Sequence, residues 1–226
     1  MRKIITLFLC MIIGMTMFAG CQKDINQFAK PRLGETVAEI NVHDYGTIYV
    51  RFFNDAAPKA VENFITLAKE GYYDGLSFYR VIEDSIIEGG NPTGTSDGGE
   101  SIWGEYFKDE FNADLQPYRG ALCMVNTGPD TNGSQFFIVQ ASQTYNDEVL
   151  DQIEQSYNIN FNVKARKLYG TVGGAPWFYR LNTVFGQVYE GYDVLDRIAK
   201  VEKTDDEQGI PAKDVIVEKI NIFKYK

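Results

Sequence analysis

Side chains able to trade protons or hold a metal are sparse in this chain. It carries one histidine, His43, in a predicted turn, and three cysteines, Cys10, Cys21 and Cys123. No Cys or His pair stands at metal-ligand spacing, so neither a metal nor a cofactor is expected. Neighbouring carboxylates such as Asp109-Glu110 read as a solvated edge, and no nucleophile elbow or phosphate-binding loop occurs. Two stretches remain. Residues 78–91 read FYRVIEDSIIEGGN and residues 124–138 read MVNTGPDTNGSQFFI, each a strand-like run entering turn residues. Taken alone, Gly-Pro and Asn-Gly are ordinary turn dipeptides and Phe136-Phe137 is consistent with plain core.

The elements that must position these stretches are mostly strands. Thr36 to Val42 and Thr47 to Phe53 form an opening hairpin around His43-Asp44-Tyr45-Gly46. Pro58 suits a first helical position, and Val61, Phe64, Ile65 and Ala68 recur on one face until Gly71, which predicts a helix over about 58–70. Further strands are predicted at Ser77 to Ile82, Gly120 to Val125, Ser134 to Gln140, Thr183 to Tyr189 and Val215 to Phe223, with a second amphipathic helix around Val194, Leu195, Ile198 and Ala199. Many short strands with two helices imply a mainly β barrel capped at its ends. Residues 144–174 break the rhythm: Val149, Leu150, Ile153 and Tyr157 lie at helical spacing and Asn162 to Tyr169 adds another turn or two, so an inserted helical segment is expected. Without the insertion and the N-terminal segment, roughly 160 residues remain, a single domain in size.

Composition agrees. Of 226 residues, 14% are aromatic and 21 are glycine, which suits a sheet with tight turns. The net charge of -9 excludes a nucleic-acid partner, since phosphate binding needs clustered Lys and Arg. The first residues read separately: Arg2 and Lys3, an apolar run from Ile4 to Phe18, then Ala19-Gly20-Cys21. This resembles a bacterial lipoprotein signal peptide over 1–20, with Phe18 where such signals prefer Leu; an uncleaved apolar anchor is the alternative. The resemblance implies an acyl chain, such as palmitate, on Cys21, a tether over 21–33 that includes Pro31, and a domain over 34–226. It places the protein at the cell envelope, lipid-anchored to a membrane; Gln22 after the lipid cysteine points to the outer membrane. Cys123, alone in an apolar run, reads as a small core residue.

Over most of residues 35–223 the sequence resembles the cyclophilin family of peptidyl-prolyl cis-trans isomerases. The carriers, in order, are Phe78-Tyr79-Arg80-Val81-Ile82, Gly89-Gly90-Asn91, Gly128 to Phe137, and Val184-Phe185-Gly186, supported by Pro58, Asn63-Phe64, Leu67-Ala68 and Tyr73-Asp74-Gly75. The resemblance implies an eight-stranded antiparallel closed barrel capped by two helices, with proline-containing polypeptides as substrate. It also implies site residues: Arg80 catalytic, Phe137 the floor of a proline pocket, Gln135 and Asn126 hydrogen-bonded to the substrate backbone, and Ile86, Glu88, Val125, Trp177, Phe178 and Asn182 around it, with Trp177 as the wall.

That activity explains the missing acid-base groups. Rotation about an X-Pro bond meets a barrier of about 20 kcal/mol from amide conjugation, and no covalent bond has to break. A cation or donor aimed at the prolyl nitrogen favours the twisted amide selectively. An acceleration of about 10^5 requires roughly 7 kcal/mol, so the site must also hold the ring dry and oriented. Departures from the family pattern cluster at this site: Ser85 for Phe, Ile86 for Met, Glu88 for Gln and Asn182 for His. Ser85 is expected to enlarge the pocket, Glu88 to lock Arg80 while offsetting its charge, and Val125 and Thr127 to narrow the pocket for residues preceding proline. With Asp97 at the same rim, slower isomerisation and a preference against acidic flanks are expected. The alternative reading is a non-catalytic module or chaperone that binds proline segments through a degenerate site.

Overall fold

The computed structural model describes residues 24–226, so the segment read as a signal peptide and Cys21 lie outside the described residues. Among the described residues no helix is long and apolar enough to cross a membrane. The strands are β1 (Thr36–Val42), β2 (Gly46–Phe52), β3 (Arg80–Ile82), β4 (Ile86–Gly89), β5 (Ala121–Met124), β6 (Phe136–Val139), β7 (Val184–Glu190), β8 (Lys203–Asp205), β9 (Ile210–Pro211) and β10 (Val217–Lys224). Eight of them form one antiparallel sheet in the order β10-β1-β2-β7-β5-β6-β4-β3, while β8 and β9 make a separate ribbon.

The expected closed barrel is realised as this sheet curled upon itself. Its ends meet through the short segment before β3 and not through a full ladder: Ser77 bridges Ile216, the Phe78 N–H donates to the Val215 carbonyl at 2.8 Å, and the Val217 N–H donates to the Leu76 carbonyl at 2.8 Å. The predicted strand at 77–82 is therefore regular only from Arg80, and β4, which periodicity does not mark, follows it after a tight turn.

Alternation on β5 and β6 divides the side chains between two cores. Leu122, Met124, Phe136 and Ile138 point into the barrel, whereas Cys123, Phe137 and Val139 join Ile86, Ala141 and Val184 in a second cluster on the outer face. The adjacent phenylalanines thus serve different purposes. Cys123 is buried, and desolvation pushes its thiol pKa well up, as befits a core residue.

Helix α1 (Pro58–Lys69) and helix α4 (Tyr192–Ala199) supply the two predicted caps. Phe64 of α1 enters the barrel interior, its ring within 5.7 Å of Phe52, Tyr73, Phe136 and Phe185 measured between centroids. No side chain next to α1 caps it. Instead Glu110 reaches across: its carboxylate accepts from the Lys59 N–H at 3.1 Å and the Ala60 N–H at 2.9 Å. Asp109-Glu110 is therefore no idle solvated edge, because a negative charge at the helix start satisfies donors that would have no intrahelical partner.

The insertion forms α2 (Asp147–Tyr157) and α3 (Val163–Tyr169), started by Asn146 and Asn162, whose side chains accept from the Val149 and Ala165 N–H groups. Arg166 staples the two helices through Asp147, Asp151 and Glu154. Together they bury a third cluster that includes Tyr118, Tyr145, Phe161 and Tyr169. The segment read as a tether is, from residue 24 on, fastened to the barrel. Gln27 is buried, and its amide donates to the Gln116 carbonyl and the Gln187 side chain, both at 2.8 Å, and accepts from the Gln116 N–H at 3.0 Å.

Candidate active site

Strand register brings the chemistry together. Arg80 on β3 stands opposite Glu88 on β4, Glu88 stands opposite Phe137 on β6, and Phe137 stands opposite Cys123 on β5. Residues directly opposite in antiparallel strands share a face. The guanidinium and the aromatic ring therefore lie on one side of the sheet, with a carboxylate between them.

A cavity of about 510 Å³ opens on that face, lined among others by Arg80, Ile86, Glu88, Val125, Asn126, Phe137, Phe178 and Asn182. Phe137 and Phe178 meet at 5.0 Å between centroids and form an apolar corner large enough for a proline ring. Glu88 is nearly inaccessible at 5% and holds Arg80 through a 3.1 Å contact from Nη1 to Oε2, while the arginine side chain stays 41% exposed. The arginine is thus aimed by one edge and open at the other, as expected of a carboxylate in place of an amide at this position.

Tyr79 completes the cluster from behind. Its hydroxyl lies in hydrogen-bond contact with Glu88 and at 2.5 Å from Gln135 Oε1. Burial, and then the Glu88 charge, push the Tyr79 pKa far up, so the phenol stays a donor. Gln135 is pinned on both sides, since its Nε2 also donates to the carbonyls of Ser96 at 3.1 Å and Gly98 at 2.6 Å. It lines a smaller adjoining cavity of about 120 Å³, with Asp97, Val125, Asn126 and Thr127, and not the central one. Gly133 makes this arrangement possible: a Cβ there would stand 2.2 Å from the Gly99 carbonyl, so only glycine lets the 96–99 loop lie against the strand.

The remaining polar residues are also held. Asn126 Nδ2 donates to the Leu181 carbonyl at 2.8 Å and to Asp109 Oδ1 at 3.2 Å, and Asn182 Nδ2 donates to the Met124 carbonyl at 3.1 Å. Asp109, missed as a site residue in the sequence, orders the rim, accepting also from Asn132 at 2.9 Å and the Asp130 N–H at 2.8 Å. Its only sequence signal was its neighbour Glu110, and both read as surface.

Two expectations change. Trp177 does not line the cavity; Pro176–Phe178 is a 3-10 turn, whose tight winding sends successive side chains in different directions. Phe178 becomes the wall, and Trp177 packs behind it against Phe178 and Tyr145. Ser85 is also absent from the lining. It sits in the turn before β4, where its carbonyl accepts from the N–H groups of Gln140 and Ala141, so it does not widen the pocket directly. Arg80, Ile86, Glu88, Val125, Asn126, Phe137, Phe178 and Asn182 do converge, and among the described residues no group of carboxylates, histidines and cysteines has the geometry of a metal site.

Comparison with known proteins agrees with this geometry. The family model described as cyclophilin type peptidyl-prolyl cis-trans isomerase matches residues 37–222. A Staphylococcus epidermidis protein provisionally named a peptidyl-prolyl cis-trans isomerase is 45% identical over 177 residues, covering 78% of this chain and 87% of the relative. A Streptococcus pyogenes protein provisionally named a bifunctional phosphatase/peptidyl-prolyl cis-trans isomerase is 46% identical over 182 residues, 80% of this chain but 37% of that longer protein. Among solved structures, a Cryptosporidium parvum cyclophilin type isomerase superposes with a TM-score of 0.64 at 31% identity, covering 84% of this chain and 99% of the other. The same protein was also crystallised in the presence of the dipeptide Ala-Pro and superposes with a TM-score of 0.63. With the curled sheet, its two caps and the arginine-phenylalanine face all in place, the chain belongs to the cyclophilin family and is a peptidyl-prolyl cis-trans isomerase.

Proposed function

We propose that the enzyme isomerises X-Pro bonds of exported polypeptides at the cell envelope, held there by an acyl chain on Cys21, with Arg80 as its catalytic residue. In this reading the proline ring rests on Phe137 against Phe178 and Ile86. The open edge of the Arg80 guanidinium donates to the prolyl nitrogen as conjugation is lost. Asn126 and Asn182 align the substrate backbone in the central cavity and Gln135 aligns the part that reaches the adjoining one, while Glu88 aims the arginine at some cost to its effective charge. One observation carries the reading: the cross-strand row Arg80, Glu88, Phe137 sets a cation beside an apolar corner on one accessible face. The Ala-Pro dipeptide used with the Cryptosporidium relative supports proline-containing substrates.

Proline-limited refolding of a model substrate tests the catalytic part. The soluble form that begins after Cys21 should accelerate the slow phase, and Arg80→Ala should lower kcat/KM by roughly 10- to 100-fold, the value of one charge-assisted hydrogen bond. An equally active variant would remove Arg80 from its role. For the anchor, Cys21→Ser should abolish fatty-acid labelling and release the protein from membranes; labelling that persists at the same level would reject acylation at Cys21.

A further inference from the structure

Four charged side chains line the central cavity, and three of them are engaged. Arg80 and Glu88 pair with each other, and Asp109 is surrounded by donors. Arg180 is the exception. Among the described residues it has no carboxylate partner, and its guanidinium lies over the Tyr179 ring at 5.6 Å.

Its backbone is equally telling. Arg180 has φ of 58°, a left-handed conformation that glycine adopts freely and a side chain with a Cβ adopts at a cost. A long cation is therefore held where the turn alone would favour glycine. Phe111 and Leu181, which line the same cavity, are exposed at 47% and 52% and add apolar surface to it beside the charge-bearing residue. The smaller cavity shares Ser96, Val125, Asn126 and Thr127 with the central one and carries Asp97, which has no cationic partner among the described residues. A peptide crossing both cavities has a free anion at one flank and a free cation at the other.

From this geometry we infer that the site selects substrates by charge order. Arg180, with Phe111 and Leu181, takes an acidic residue on one side of the proline, and Asp97 disfavours acid on the other side. This rests on the isomerase reading and refines the expectation of a general preference against acidic flanks. The net charge of -9 repels acidic peptides at long range, so any gain must arise from a local contact. Such a contact is screened by salt, with a range of about 8 Å at physiological ionic strength.

The test uses short peptides with a central Ala-Pro bond and neutral flanks, a Glu before, or a Glu after. Exchange NMR gives kcat/KM and titration gives Kd, for the parent, Arg180→Gly, Arg180→Lys and Asp97→Asn. One Glu peptide should be handled roughly 2- to 5-fold better than the neutral one, the range of an exposed ion pair, and the other worse. Arg180→Gly, which suits the left-handed turn, should bring the favoured ratio to about one; Arg180→Lys should keep most of it, and Asp97→Asn should lift only the penalty on the other flank. Equal handling of all three peptides by the parent, or a preference that survives Arg180→Gly, overturns the inference. Should peptides bind with this charge order but never be isomerised faster, the catalytic reading fails and the selectivity stands; isomerisation without charge order keeps the catalytic reading and removes the selectivity.

Discussion

At the scale of single residues, the site is governed by which hydrogen bonds Arg80 and its neighbours can make. Glu88 is buried and holds one edge of the guanidinium, so under the proposed role of Arg80 its charge would reduce what the arginine offers to a substrate nitrogen. Glu88→Gln keeps an acceptor for Arg80 Nη1 and removes that opposing charge. It should raise kcat/KM by roughly 2- to 5-fold, since a partly exposed pair is worth little more; a fall in rate would mean that the carboxylate serves catalysis. Arg80, Phe137 and Glu88 were singled out by the family resemblance, and strand register places them in one cross-strand row. What no spacing rule reveals is that Tyr79 ties Glu88 to Gln135, because that contact depends on the residues just before β3 and β6 meeting a side chain of β4.

Elements hold these residues through links that are distant in the chain. The start of α1 has no local cap, and Glu110, 50 residues away from Ala60, fills the role. Glu110→Ala should cost about 1 kcal/mol in urea unfolding, as for loss of an ordinary helix cap, while leaving Arg80 untouched. No change in midpoint would show the helix donors to be satisfied by water. The helices of the insertion were legible from their apolar spacing, and the structure shows Asn146 and Asn162 capping them. Strand β4 was not, because its four buried residues show no alternation. Trp177 was named as the wall through the family resemblance alone, and the 3-10 winding of Pro176–Phe178 gives that place to Phe178.

For the whole molecule, closure of the barrel and the docked segment from residue 24 to 33 set the boundaries of what folds together. At the hairpin, His43 Nδ1 lies 2.6 Å from Glu218 Oε1 on β10, with Asp44 nearby. The Glu218 hydrogen bond, then the Asp44 charge, raise the His43 pKa above its usual 6.5. A raised folded-state value means the stabilisation is complete below the unfolded pKa and fades as pH rises through the folded one. Stability curves of the parent and His43→Gln should therefore differ at acidic pH and converge as pH rises through the raised folded-state value of the histidine. Curves that run parallel from acid to alkaline pH would deny the ion pair any part in stability.

The run of residues alone determined the local choices: strands where β-branched and aromatic residues alternate, helices where caps and apolar faces coincide, and the two motifs that mark the family. These depend on neighbours within a turn or a strand, so they can be read along the chain. Only the tertiary structure decided which of two adjacent aromatics faced the barrel and which the cavity, that Phe178 and not Trp177 forms the wall, and that Asp109, Glu110 and Gln27 are structural. Each of those outcomes is set by strand register and by polar groups finding partners tens of residues away. Both are fixed only when the sheet curls and buries them.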